Sequence, residues 1–334
     1  MLGQNDWVFG IDADWGKQRE QVAKPNNGHA LLFIADRLLM ATDHPEHNII
    51  EYDKQGLVVD SWGKQWPGLH GIKSLNNDGE LALFLVDSGW VLNRNWDGKS
   101  VDKWDSPYNK MIPQAGSVAK TTRDGRVLFS VGHPVTMGAY TQDMAFNPTD
   151  VAVMPDGDFF VVDGYGSDFI LHYDRHGQFL AKFGQNSERD EQNIYNGHGI
   201  TLDHRGNEPL LLVSSRADHC LKWFSLDGKF VKRVHVPGAF IHAPVFVDDH
   251  MVAPVCWTGK PGEPKNESGV ICVFDEKDQL VSVLGGRLPA KGQTVHNHDG
   301  VFKHCHGLEK DRQGNLYLAQ WQAGGIHPQK LYRQ

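Results

Sequence analysis

A four-strand unit recurs along this chain of 334 residues, and nothing else restricts its folding as much. The clearest copy runs from Phe146 to Gly184. Asp150–Met154 stops at Pro155-Asp156-Gly157, and Phe159–Val162 stops at Asp163-Gly164. Phe169–Tyr173 then stops at Asp174-Arg175-His176-Gly177, and Phe179–Phe183 closes on Gly184. Runs of about five residues punctuated by Asp-Gly and His-Gly turns predict a meander of antiparallel strands. Its second hairpin reads apolar-x-x-aromatic-x-x-x-Gly-x-apolar, and the pattern returns at Ile49–Val58, Ile170–Phe179 and Leu221–Phe230. A looser copy, Val270–Asp278, has Asp278 where glycine would stand. The aromatics at 173, 224 and 274 are 51 and 50 residues apart. One such sheet cannot bury both faces alone. A period of 40–50 residues with four strands per unit therefore predicts an all-β chain folded as a β-propeller.

We count six blades in one domain spanning 1–334, each of four antiparallel strands. A seventh would have to hide in an insertion. Blade one covers about 28–63, blade two begins at His70, and blade three is 147–184. Blades four and five are about 197–236 and 241–285, with a polar Gly/Pro-rich loop at Gly259–Ser268. Blade six, 305–334, has signals for only about three strands. The apolar run Trp7–Ile11 within the irregular segment 1–27 is expected to supply the fourth, so that N- and C-terminal strands close the ring and remove an open edge. In blade two the second strand is expected to end at Val86, and the outer hairpin resumes at Ser117. Residues 90–116 between them read as an inserted loop near the mouth of the ring.

In a propeller the residues that open the innermost strands converge on one axis. Here they are His70, Asp150, His198, His242 and His306, with the dipeptide His-Gly at three of them. Three imidazoles with an open position describe a catalytic metal site, so His70, His198 and His306 are the expected ligands. The plain alternative is hydrogen bonding to backbone at the channel mouth. His242 is a fourth ligand or a substrate contact. His304 is a second-shell or substrate contact, or a solvated loop residue. Counting back eight from the repeated aromatics places Tyr165, Arg216 and His44 at equivalent sites on one rim. A tyrosine near a cation and an arginine can titrate low enough to act as a base.

The stretch Asn147–Gly184, above all Pro148-Thr149-Asp150-Val151-Ala152-Val153 and Asp163-Gly164-Tyr165, resembles peptidyl-α-hydroxyglycine α-amidating lyase, a six-bladed propeller of the NHL-repeat class. The resemblance covers about 48–330. It implies zinc at His70, His198 and His306, a catalytic tyrosine at Tyr165, an active-site arginine at Arg216, and cleavage of a carbinolamide N–C bond. Three departures stand out. The first-blade arginine of the family falls in Ala41–His47, which has none. The methionine before the last zinc histidine is His304 here. Gly307 stands where the family has a calcium-ligating aspartate, which argues against calcium. These departures point to a small hydroxylated substrate other than a peptide α-hydroxyglycine.

Three functions compete: a metal-dependent lyase, a metal-dependent hydrolase of the lactonase-propeller kind, and a non-catalytic NHL-type binding scaffold. A formal net charge of -8 argues against nucleic acid or an anionic membrane as partner. No run of eighteen apolar residues spans a bilayer. Met1–Trp7 lacks the basic and apolar regions of a secretory signal, and four widely spaced cysteines read as reduced thiols, so a cytoplasmic location is expected.

Overall fold

The computed structural model describes residues 1–17, 27–44, 46–77, 79–92, 111–187, 189–260, 262–297 and 299–334. Its sheets follow the repeat. Blade one pairs Gly28–Ile34, Arg37–Thr42, Ile49–Tyr52 and Val58–Trp62 in sequence order. Blade two pairs Leu69–Asn77, Glu80–Asp87, Ser117–Thr122 and Val127–Val131. Blade three uses Asp150–Val153, Phe159–Val162, Phe169–Tyr173 and Phe179–Gly184. Blade four uses Gly197–Asp203, Leu210–Ser215, Cys220–Phe224 and Phe230–His235.

Blade five departs from this regularity. Its innermost strand is broken into Ala239–Ile241 and Val245–Val247 around His242-Ala243-Pro244, and both pieces pair with the long strand His250–Lys260. Proline cannot donate to a ladder, which accounts for the break. The stretch read as a polar loop at 259–268 continues that long strand into a hairpin with Glu263–Lys265. Val270–Phe274 and Leu280–Leu284 complete the blade.

Blade six is closed as expected. Cys305–Lys310, Leu316–Gln320 and Gln329–Arg333 are joined by Trp7–Ile11, in register Phe9↔Arg333 to Ile11↔Leu331. Leu2–Gln4 adds a fifth strand, and Gln4 bonds across to blade five through Ser282 Oγ and Val283 O. The innermost strands of blades six, one, two, three and four contact one another in turn, so blade six meets blade one.

The repeated aromatics Tyr52, Tyr173, Phe224 and Phe274 are buried in the inter-blade cores. Truncating one would cost about 3–5 kcal/mol. The hairpin turn after each requires a left-handed residue. Gly56, Gly177 and Gly228 supply it at φ 79–84°, and Asp278 supplies it at φ 59°. Asp tolerates that region, so the copy without glycine keeps the turn. The ends of the insertion pair as Trp90–Leu92 with Met111–Pro113, and 93–110 lie outside the described residues. The second strand of blade two ends at Asp87, one residue beyond the expected Val86. All four cysteines are free and buried. Among the described residues, no helix is long and apolar enough to cross a membrane.

Candidate metal centre

The histidines reach the axis through a repeated irregularity of the inner strands. In blade one the register passes from Gly28↔Thr42 to Ala30↔Ala41 and skips His29. In blade two it skips His70, in blade four His198 and Gly199, and in blade six His306. A bulge leaves one residue unpaired and re-aims its side chain. The result is a cluster of five imidazoles. Ring centroids are 4.8 Å apart for His29–His70, 4.7 Å for His70–His198 and 4.1 Å for His198–His242. They are 4.0 Å apart for His242–His306 and 4.9 Å for His306–His29. The rings of the three expected ligands come together, with His70–His306 at 4.9 Å and His198–His306 at 5.2 Å, but His70 and His198 do not share a group whose nitrogens all lie within 4.8 Å of one another.

The glycine after the bulged histidines of blades four and six has a steric reason. A Cβ on Gly199 would lie 2.4 Å from the Ala243 backbone, and one on Gly307 2.7 Å from His29 O. The neighbouring blade can therefore bring its backbone close, and that backbone orients the rings. His70 Nδ1 donates to Thr149 O at 2.6 Å, and His306 Nδ1 donates to His29 O at 2.7 Å. A carbonyl only accepts, so these tautomers are fixed with an Nε2 lone pair left over. His198 Nε2 lies 3.3 Å from His306 Nε2. Burial holds His70, His198, His242 and His306 well below the usual imidazole range, hence neutral near pH 7. Neutral, nitrogen-presenting imidazoles crowded together fit a divalent cation of the imidazole-binding class. Nitrogens of His29, His70 and His306, and separately of His198, His242 and His306, lie within 4.8 Å of one another.

Tyr165 and Arg216 sit against this cluster. Tyr165 Oη is 3.2 Å from His198 Nε2 and 3.4 Å from His70 Nε2. Asp163 builds the turn that carries Tyr165: it accepts from Asn147 N, Ser167 N and Tyr140 Oη at 2.7–2.8 Å. Trp90, at the start of the insertion, packs 5.8 Å from the Tyr165 ring. Burial raises the Tyr165 phenol, and the Arg216 guanidinium offsets only part of that rise. Arg216 is held by Asn196 Oδ1 at 2.6 Å, points Nη1 at His242 Nε2 at 3.4 Å, and lies over the Tyr165 and Trp257 rings.

Asp150 does not occupy the ligand slot; Thr149 does. Asp150 stands one place on, where blades two, four and six have glycine, and its carboxylate accepts from Ile200 N at 3.1 Å. Its Oδ1 presses on the position where a Gly71 side chain would begin. His304 is not a second-shell partner of His306, because the His29 carbonyl takes that place. Its nitrogens meet Trp321 O, Asn266 Oδ1 and Glu267 N, which fasten the 263–268 hairpin. The contacts described for His44 are local: Nδ1 accepts from Glu46 N and the ring packs 4.6 Å from His47. Local loop bonding of this kind is not encoded in repeat phase. Sequence reasoning missed His29, Asn196 and Trp257. The signal for His29 was present, since Gly28-His29-Ala30-Leu31 parallels Gly197-His198-Gly199-Ile200. So was a signal for Asn196, which stands two residues before His198 as Asn27 does before His29 and Asn147 before Thr149; Trp257 lies outside any such pattern.

Comparison with known proteins bears on this site. Peptidyl-alpha-hydroxyglycine alpha-amidating lyase 1 of Drosophila melanogaster is 52% identical over 40 residues, 12% of this chain and 7% of that protein. A probable lyase of the same name from Caenorhabditis elegans is 27% identical over 147 residues, 43% of this chain and 38% of that protein. The chain carries weak homology to the amidating lyases. The matches span well under two thirds of the length of either relative. No family model matches. Among solved structures, virginiamycin B lyase from Staphylococcus aureus superposes with a TM-score of 0.55 at 10% identity, covering 97% of this chain and 99% of that one. A gluconolactonase from Xanthomonas campestris gives 0.56 at 13%, covering 92% and 86%. An auxiliary nutrient binding protein from Bacteroides ovatus gives 0.58 at 13%, covering 99% and 78%. These three show the fold alone; the weak homology supports an enzyme in general.

Proposed function

We propose that this protein is a metal-dependent lyase, related to the amidating lyases, that cleaves a C–N or related bond of a small hydroxylated substrate. The observation that carries the reading is the Tyr165 hydroxyl, placed 3.2–3.4 Å from the Nε2 atoms of two of the three histidines His70, His198 and His306. These three would hold the cation, with zinc the first candidate. A divalent cation supplies Lewis acidity there, lowering the pKa of nearby hydroxyl groups.

The remaining chemistry belongs to the chain. Tyr165 as phenolate takes the proton of the substrate hydroxyl at Oη. The C–O bond becomes C=O, the adjacent C–N bond breaks, and its electron pair leaves on nitrogen, which is then protonated to an amide. Arg216 holds an anionic group of the substrate and favours the phenolate beside it. The Trp257 and Trp90 rings wall this rim and limit water. A lactonase-like hydrolase is the alternative, but among the described residues the candidate ligand groups are all imidazole, with no carboxylate in them.

The test is metal analysis of the purified protein, combined with turnover of a panel of small carbinolamides that includes N-acyl-α-hydroxyglycines. The reading expects amide and aldehyde in equal amounts, lost in Tyr165→Phe with the cation retained. A metal-free protein that cleaves nothing in the panel would refute it.

A further inference from the structure

Blade one contributes a histidine that neither the three-ligand set nor the resemblance includes. His29 Nε2 faces Asp43 Oδ2 at 3.5 Å. Asp43 is itself buried and pinned by both the backbone amide and the side-chain amide of Asn27. The other ring nitrogen, Nδ1, is buried without a hydrogen-bond partner. A nitrogen of His29 lies within 4.8 Å of nitrogens on both His70 and His306. A carboxylate behind one imidazole nitrogen, with the other nitrogen bare and the ring packed against further imidazoles, is the arrangement by which proteins orient a metal-binding histidine. An orphaned buried acceptor otherwise costs about 1–3 kcal/mol.

We infer that His29, oriented by Asp43, is a fourth imidazole ligand to the cation held by His70, His198 and His306. This rests on the metal-site reading above. A second, separate cation on His29, His70 and His306 is excluded by the hydrogen bonds. His70 and His306 each spend Nδ1 on a carbonyl, so each has one nitrogen to give. Four imidazoles saturate a tetrahedral ion, whereas catalysis needs an open position. The site therefore suits an ion that accepts five or six ligands, such as ferrous iron, manganese, cobalt or nickel.

The experiment is titration of the metal-stripped full chain with Co²⁺, followed by visible spectroscopy and calorimetry, for wild type, His29→Ala and Asp43→Asn. Wild type is expected to show the weak absorption of five- or six-coordinate cobalt. His29→Ala is expected to move to the more intense bands of a lower coordination number. Both variants should bind at least about 10-fold more weakly. If His29→Ala does not fold, Asp43→Asn, which keeps the side-chain volume, carries the affinity readout alone. Wild-type binding with unchanged affinity and spectrum in the folded variants overturns this inference and leaves the lyase reading standing. A wild-type protein that binds no Co²⁺ overturns both.

Discussion

Blades three and four share strand order and turn positions, yet they do different work at the axis. At the bulge position blade four has His198-Gly199 and blade three has Thr149-Asp150. Blade four thus presents a ring nitrogen, while blade three presents the Thr149 carbonyl that orients His70. In the loop between second and third strands, blade three carries Tyr165 and blade four carries Arg216. Asn196 ties the two loops together by donating to Gly164 O and accepting from Arg216 Nε. Even the left-handed residue before the third strand differs: Asp168 at φ 58° against His219 at φ 55°. The repeat creates equivalent positions, and chemistry arises where neighbouring blades fill them unequally.

The largest effect should come from exchanging the two bulge residues for alanine. His198→Ala is expected to weaken cation retention by more than about 100-fold, since losing even a supporting contact costs 10–100-fold. Thr149→Ala keeps the carbonyl, so it should retain the cation and lose only the hydroxyl bond to Gly197 O, about 1 kcal/mol. Equal metal loss in both variants, read by elemental analysis, would erase the distinction between the blades.

Next come the loop residues. Tyr165→Phe should lower kcat by about 10²–10⁴ with the cation still bound. Arg216→Lys should chiefly raise KM, because it keeps the charge and loses the fixed fork on Asn196. Steady-state kinetics on a turned-over carbinolamide separate the two, and a KM effect from Tyr165→Phe alone would reverse the assigned roles.

Gly199→Ala should destabilise by about 1–3 kcal/mol through collision with Ala243. Asp150→Asn, at the equivalent place in blade three, already has room for a side chain and should cost less. Denaturant midpoints decide the order.

The smallest effect concerns pH. Burial pushes Asp168 up to about 7 from an ordinary 3.8, so the folded state binds its proton first. Its contribution to stability grows as pH falls from 7 towards 4. Burial lowers His219, so its contribution is present above pH 6.5 and is lost as pH falls. Melting temperatures of Asp168→Asn and His219→Asn between pH 8 and 5 should therefore deviate from wild type in opposite directions. Deviations of the same sign would contradict the assignment.

Much of this was legible in the residues because the fold is periodic. The spacing of Tyr173, Phe224 and Phe274 with their turns fixed the blades, and Asp278 fell in place because aspartate tolerates the left-handed turn. The convergence of His70, His198, His242 and His306 followed from phase alone. Phase aligns Thr149, not Asp150, with His70 and His198, so the expectation of Asp150 at the axis was one residue on from the slot. His44 kept the phase of Tyr165, yet its described bonding is to its own loop. His304 fastens a hairpin that the Gly/Pro-rich sequence had suggested was an irregular loop. Asn196 repeats Asn27 and Asn147, each two residues before the slot residue of its blade, whereas Trp257 reaches the site from a strand position outside that repeat. Residues 93–110 of the insertion lie outside the described residues.

The central claim is that imidazoles from separate blades grip one cation. The most direct measurement is the metal content of the purified wild-type protein after exhaustive dialysis and reconstitution. The account predicts about one equivalent of a divalent transition metal per chain. A chain that remains metal-free, with the imidazole cluster intact by crystallography, would contradict it.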